Sequence, residues 1–180
     1  DLSDANFASS NLIGANFENS KLNGTNFEDA RFSDVVFFMS RPLPGETASL
    51  KKASLLQANL RRAHLGKADL QDANLYQADL QNAVLAGADL QGACLLDANL
   101  KGANLVKANL QNAHLRLVDL DPDCPHQEAC LEDADLSGAD LTGCAVYEYQ
   151  LQRARGDRHT ILPDGVARPP HWLKRKRSPT

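Results

Sequence analysis

Cysteine, histidine and aspartate are the residue types here whose spacing could support chemistry. Cys124 and Cys130 bracket the stretch CPHQEAC, with His126 between them. Such a grouping raises a disulfide or a metal site, but the spacing follows no standard zinc pattern and no fourth ligand is evident. A Cys124–Cys130 pair requires an oxidising compartment, which the sequence does not identify, so free thiols are the default. His64, His114, His159 and His171 stand near no nucleophile signature, and neither a Walker-type phosphate loop nor an HExxH helix is present. Asp69, Asp79, Asp89, Asp135 and Asp140 recur at one position of a repeated unit, where Asn59, Asn74 and Asn99 replace them freely. Asx side chains bonding nearby backbone explain that usage without an acid–base role. No catalytic residue, metal, cofactor or small-molecule substrate is expected.

The element that positions all of these residues is the repeat itself. From 73 to 90 the chain reads ANLYQADLQNAVLAGADL, with alanine at 73, 78, 83 and 88 and leucine two places after each. An α-helix advances about 100° per residue, so positions five apart spiral around it and form no stripe. In a continuous strand, positions five apart point to opposite faces. The pattern instead predicts a very short strand carrying the Ala and the Leu on one side, followed by a bend. Four bends close a square of about 20 residues, and squares stacked at roughly 4.8 Å pair their backbone groups with the coils above and below. Ala and Leu fill the interior, and the other three positions of each unit face outward. The expected class is all-β, a β-solenoid.

ADLQD (68 to 72), ANLYQ (73 to 77), ADLQN (78 to 82), ADLQG (88 to 92), ANLKG (98 to 102), ANLVK (103 to 107) and ADLSG (134 to 138) resemble the units of the pentapeptide-repeat family, roughly A-(D/N)-L-x-x. The resemblance covers residues 1 to about 151 and implies a right-handed quadrilateral β-helix. Central residues run from Leu2 to Phe37, from Leu50 to Leu120, and from Leu131 through Val146 to Leu151. The count predicts about seven coils, a rod of roughly 34 Å. The phase slips twice, which predicts insertions near 38–47 and 121–129, both rich in Pro, Gly and acidic residues that suit loops. Residues 152–180 are expected to form a C-terminal cap and a basic tail. YEYQLQRA (147 to 154) suits a short helical cap, and Pro163-Asp164-Gly165 a turn. The repeats begin at once at Asp1, which leads us to expect further chain before it, and no basic, apolar leader is present.

Three outward features are candidate contacts. Leu56, Tyr76 and Leu96 stack in one column at a position sent to solvent; such a strip is either ordinary scattered apolar surface or a contact for a partner, a second copy, or the protein's own loop or tail. The insertions place Arg41, Leu43, Asp121, Asp123 and His126 where a partner would meet them, or they are plain spacers. Lys174, Arg175, Lys176 and Arg177 suit nucleic acid or anionic lipid, or form a solvated tail. In another column, Gln71, Gln91 and Gln111 are placed to bond amide to amide.

The net charge of −4 conceals a division. Residues 1–150 carry 11 Lys and Arg against 21 Asp and Glu, a net of −10, and residues 151–180 carry 8 against 2, a net of +6. An acidic body with a basic tail indicates partners or intramolecular docking. The longest run of large apolar residues, VVFFM, is far short of the roughly 18 that a membrane helix needs. The compartment stays open, with the cytoplasm favoured. The function expected is a non-catalytic interaction scaffold for a protein partner, with a homo-oligomer among the arrangements open to it. The resemblance implies an alternative. The family's quinolone-resistance members resemble a DNA duplex in width and charge and bind DNA gyrase or topoisomerase IV, so a DNA-mimicking modulator of a type II topoisomerase also fits. A third expectation, nucleic-acid binding through the tail, predicts steep salt dependence.

Overall fold

The computed structural model describes residues 1–12, 15, 17, 20–23, 25–32, 48–120 and 131–173. Each unit is a one-residue bridge followed by a turn, and the bridges stack in parallel. One side of the square runs Asn6, Asn26, Ser54, Asn74, Cys94, His114, Asp140, Ile161. A second runs Lys21, Ser49, Asp69, Asp89, Asn109, Asp135, Arg155. Partners within the regular stretch lie one 20-residue coil apart. The Asn26–Ser54 and His114–Asp140 steps are longer, which is the register that the two phase slips in the sequence require.

The unit Ala88–Gly92 shows why five residues suffice. Ala88 N–H closes the preceding turn on Leu85 O at 2.9 Å. Asp89 N–H donates to Ala68 O in the coil below, whereas Leu90 and Gly92 donate to Asn109 O and Gln111 O in the coil above, all at 2.7–2.9 Å. Gln91 N–H is the one amide that neither ladder nor turn reaches, and the Asp89 side chain accepts it at 3.2 Å. Every amide of the unit is therefore satisfied, as buried or half-buried backbone requires. The Asx position exists to serve that last amide.

The last residue of each turn adopts a positive φ, from Asp4 (59°) through Lys52 (60°) and Asn82 (56°) to Leu117 (59°), and glycine holds the same place at 87, 92, 102, 138 and 143. This left-handed conformation favours glycine and tolerates Asn and Asp. Some of the glycines have a second cause. A Cβ on Gly92 would sit 2.6 Å from Asp72 Oδ1, and one on Gly102 would sit 2.4 Å from Asn82 Oδ1. The corner side chain of one coil leans into the next, and the next coil leaves the space free.

The interior is a column of Ala and Leu with essentially no exposure from Leu22 to Leu141 among the described residues. Toward the start, phenylalanines take the leucine slots: Phe7 stacks on Phe27 at 5.4 Å between centroids, and Phe27 meets Phe32 edge-on at 4.9 Å. Serine holds the alanine slot at 10 and 20, and three other polar substitutes each donate to the carbonyl of a central residue below. Thr25 reaches Leu2 O (2.9 Å), Cys144 reaches Leu115 O (2.6 Å) and Thr160 reaches Leu136 O (2.9 Å). Burial pushes the Cys144 thiol up to about 12, so it stays protonated and can donate.

The ladder continues beyond the recognisable repeat, through Arg155 and Ile161. The short helix α1 (Glu148–Leu151) turns the chain at the level of the last full coil. Buried Gln150 ties it down by accepting from Tyr147 N–H at 2.7 Å and donating to Leu120 O at 3.0 Å. A turn at Pro163–Val166 and a 3-10 turn, Pro170–Leu173, follow. Trp172 lies over Gly156, where a Cβ would come within 2.4 Å of the indole, so the indole fills the volume that a central leucine at 156 would occupy.

Candidate functional site

The side of the square that carries the bridges from Asn6 to Ile161 also carries the candidate strip. Its first turn residues are Ala8, Glu28, Leu56, Tyr76, Leu96, Arg116 and Thr142, placed in one column by the ladder. Asp29 N–H donates to Leu56 O, Gln57 N–H to Tyr76 O, Gln77 N–H to Leu96 O and Asp97 N–H to Arg116 O, at 2.9–3.1 Å. Leu56, Tyr76 and Leu96 are therefore brought together as the sequence expected, but each is half-buried and not fully exposed. The cause is the stacking itself, since each side chain is shielded by those one coil above and below. Beside them, Leu117 is 57% exposed. The sequence reading missed it because it occupies a corner slot normally held by a polar residue or glycine.

Five repeat carboxylates serve the backbone. Asp69, Asp79, Asp89, Asp135 and Asp140 each accept the N–H two residues on, at 3.0–3.2 Å. Several also accept a side chain from the coil below: Arg61 reaches Asp79 (3.2 Å), Gln71 reaches Asp89 (2.7 Å) and Gln111 reaches Asp135 (3.0 Å). Gln71 and Gln111 therefore bond carboxylates in place of the expected amide ladder, because an ionised oxygen is the stronger acceptor within reach. An amide-to-amide bond does form elsewhere, from Gln57 to Gln77 at 2.9 Å. For Asp140, slight burial pushes the carboxyl up, but the Thr142 hydroxyl and N–H, with the positive charge of Arg116 and the imidazole of His114, outweigh it and hold the group below its ordinary range.

At the C-terminal end an open cleft of about 760 Å³ lies between Arg155, Arg158, His159 and the Trp172 turn. Its polar groups are largely committed to the backbone. Asp157 accepts the N–H groups of Gly138, His159 and Thr160, which, with the Thr160 hydroxyl, outweigh its slight burial and hold its carboxyl below the ordinary range. His171 and Trp172 both bond Ala154 O, at 3.0 and 2.9 Å, and Arg168 donates to Asp157 O and Thr160 O. The RGD tripeptide at 155–157 is thus accounted for as structure. Arg155 extends the ladder, Gly156 admits the indole, and Asp157 caps the following turn.

Arg41, Leu43, Asp121, Cys124, Asp123, His126 and Cys130, with Lys174, Arg175, Lys176 and Arg177, lie outside the described residues. Among the described residues, Cys94 and Cys144 are free thiols, no group of His, Cys, Asp and Glu is placed to hold a metal ion, and no helix is long and apolar enough to cross a membrane.

The model of the family "Pentapeptide repeats" matches the chain in eight copies, over residues 1–37, 47–82, 83–121 and 127–154. The chain is a pentapeptide repeat protein. The fold described above is accordingly the right-handed quadrilateral β-helix of that family. QnrB1, a plasmid-mediated fluoroquinolone resistance protein, is similar in structure, with a TM-score of 0.61 and 18% identity over 93% of this chain and 84% of that one. A pentapeptide repeat protein of the Arabidopsis thaliana thylakoid lumen is 27% identical over 71% of this chain and 69% of its own, with a TM-score of 0.44. HetL, involved in heterocyst differentiation regulation in the cyanobacterium Nostoc, is 24% identical over 91% and 71%, with a TM-score of 0.43. No curated protein matches this pentapeptide repeat protein significantly by sequence.

Proposed function

We propose that the protein is a non-catalytic scaffold that docks protein partners on the outside of the rod, with Leu56, Tyr76 and Leu96 as contact residues. The observation that carries this reading is the column itself, in which three large apolar side chains stand in register, one per coil, at a turn position that faces outward. The interior offers no competing site, because Ala and Leu fill the axis from coil to coil among the described residues. The insertions holding Arg41, Leu43, Asp121, Asp123 and His126, and the tail from Lys174 to Arg177, are further contact points on this reading. Replacing Leu56 and Leu96 together by glutamate tests it. The expected result is loss of association, with a partner or with a second copy, at unchanged thermal melting. If association, oligomeric state and stability all stay as they were, the contact reading fails.

A second reading is modulation of DNA gyrase or topoisomerase IV by an acidic rod that imitates a duplex. It is favoured by the net charge of −10 over residues 1–150 and by the fold shared with QnrB1. A gyrase supercoiling assay with and without ciprofloxacin tests it. Protection or inhibition is expected at stoichiometric protein, and an unaltered supercoiling curve removes the reading.

A further inference from the structure

The column that holds the strip reads, in order along the rod, Glu28, Leu56, Tyr76, Leu96, Arg116. Its chemistry is self-complementary about its middle, since an acid and a base stand at equal distances on either side of Tyr76, with a leucine between on each side. We propose that this side is a surface for a second copy of the chain. In the proposed pair the rods lie antiparallel and face to face, about a twofold axis that crosses the column at Tyr76 perpendicular to the rod. The proposal rests on the scaffold reading above and names the partner for this one side.

A twofold axis of that kind reverses direction along the rod and keeps each column opposite itself, as an isologous contact requires. Leu56 then meets Leu96 of the second copy, Tyr76 meets Tyr76, and Glu28 meets Arg116, twice over. Parallel pairing would instead set Glu28 on Glu28 and Arg116 on Arg116, so the charges select the antiparallel arrangement. The flanking columns permit close approach. The bridge column pairs Asn26 with His114, Ser54 with Cys94, and Asn74 with itself, all without a repelling charge. In the corner column Gln57 faces Asp97 as a donor and Gln77 faces its own copy, whereas Asp29 opposite Leu117 contributes nothing. Glu28 to Arg116 spans four coil steps, about 19 Å. The contact is therefore well under the roughly 800 Å² per partner of a standard interface, and the pair belongs with weak, reversible associations.

Sedimentation equilibrium from about 10 µM to 1 mM tests the pairing, because that range reaches weak, reversible association. The wild-type chain is expected to dimerise reversibly. Glu28→Arg and Arg116→Glu each place like charges at two symmetry-related contacts and are expected to weaken the dimer by about tenfold or more. Glu28→Arg combined with Arg116→Glu restores opposite charges and is expected to return the affinity to within about threefold. Thermal melts of all three variants should match wild type. A chain that is monomeric throughout, single reversals without effect, or a double variant no tighter than the singles would each overturn the proposal. The two readings separate on the double glutamate variant. A monomeric chain whose binding to some other protein is lost in Leu56→Glu/Leu96→Glu keeps the scaffold reading and sinks this one. A dimer that survives those substitutions sinks this one, and sinks both when binding to other proteins survives as well.

Discussion

The central coils, 48–120, and the C-terminal segment, 151–173, continue the same ladder by opposite means. In the centre each coil is a copy of its neighbour, with Ala and Leu inside, Asx on the spare amide and a left-handed corner. At the end no unit repeats, and single residues take over. Trp172 fills a leucine's volume from outside the coil, Asp157 gathers three N–H groups, and just ahead of the segment Gln150 bridges the helix to the coil below. Where the interior is built from identical parts, stability is shared. Where it is closed once, it depends on a handful of specific contacts.

Substitutions test that difference, starting with the most severe. Leu90→Asp puts a charge into the dry interior between two intact coils and is expected to abolish the cooperative β-sheet melt of the central region; an unchanged circular dichroism melt would contradict the inward placement of Leu90. Trp172→Ala should cost about 3–5 kcal/mol, as for other buried large aromatics, but locally. Protease should then clip the segment after residue 151 while the coils before it stay resistant. Equal loss of protection in both regions would show that the two are not separable.

Acid should act on the same segment. The folded carboxyl of Asp157 titrates below its unfolded value, so its contribution is complete above about pH 4 and is lost as pH falls through the folded pKa. Trp172 is the chain's sole tryptophan and reports this directly, with an emission change below about pH 4 that Asp157→Asn removes. Asp89→Ala, in the centre, removes the acceptor that Gln91 N–H, Gln71 Nε2 and Asn109 Nδ2 share and should cost about 0.5–1.5 kcal/mol, read from the melting temperature. The smallest effect expected is a gain. Leu117→Gly relieves a left-handed leucine and removes exposed apolar surface, raising Tm by about 2–4 °C.

The contrast also explains what the sequence discloses. Alanine and leucine two apart, repeated every five, leave one geometry that buries both, so the solenoid and both register slips are legible without coordinates. The Asx role is legible too, because Asn and Asp interchange freely. Gln71 and Gln111 were harder, since which acceptor a flexible amide takes depends on the charge one coil away. The strip at Leu56, Tyr76 and Leu96 follows from counting by twenty, but its partial burial depends on how neighbouring side chains shield one another. The ladder through Arg155 and Ile161 carries no repeat to read, and only the indole above Gly156 explains why a glycine stands at a leucine's place.

The backbone bonds between coils all run along the rod. Tension applied between the termini therefore loads them lengthwise, one layer at a time, with no strand sheared past another. Each regular layer that gives way releases its 20 residues, about 70 Å of extended chain, and the two layers at the longer Asn26–Ser54 and His114–Asp140 steps release more. Each leaves the next layer as the new end. The molecule should lengthen in discrete steps under force, like a spring surrendering its turns singly.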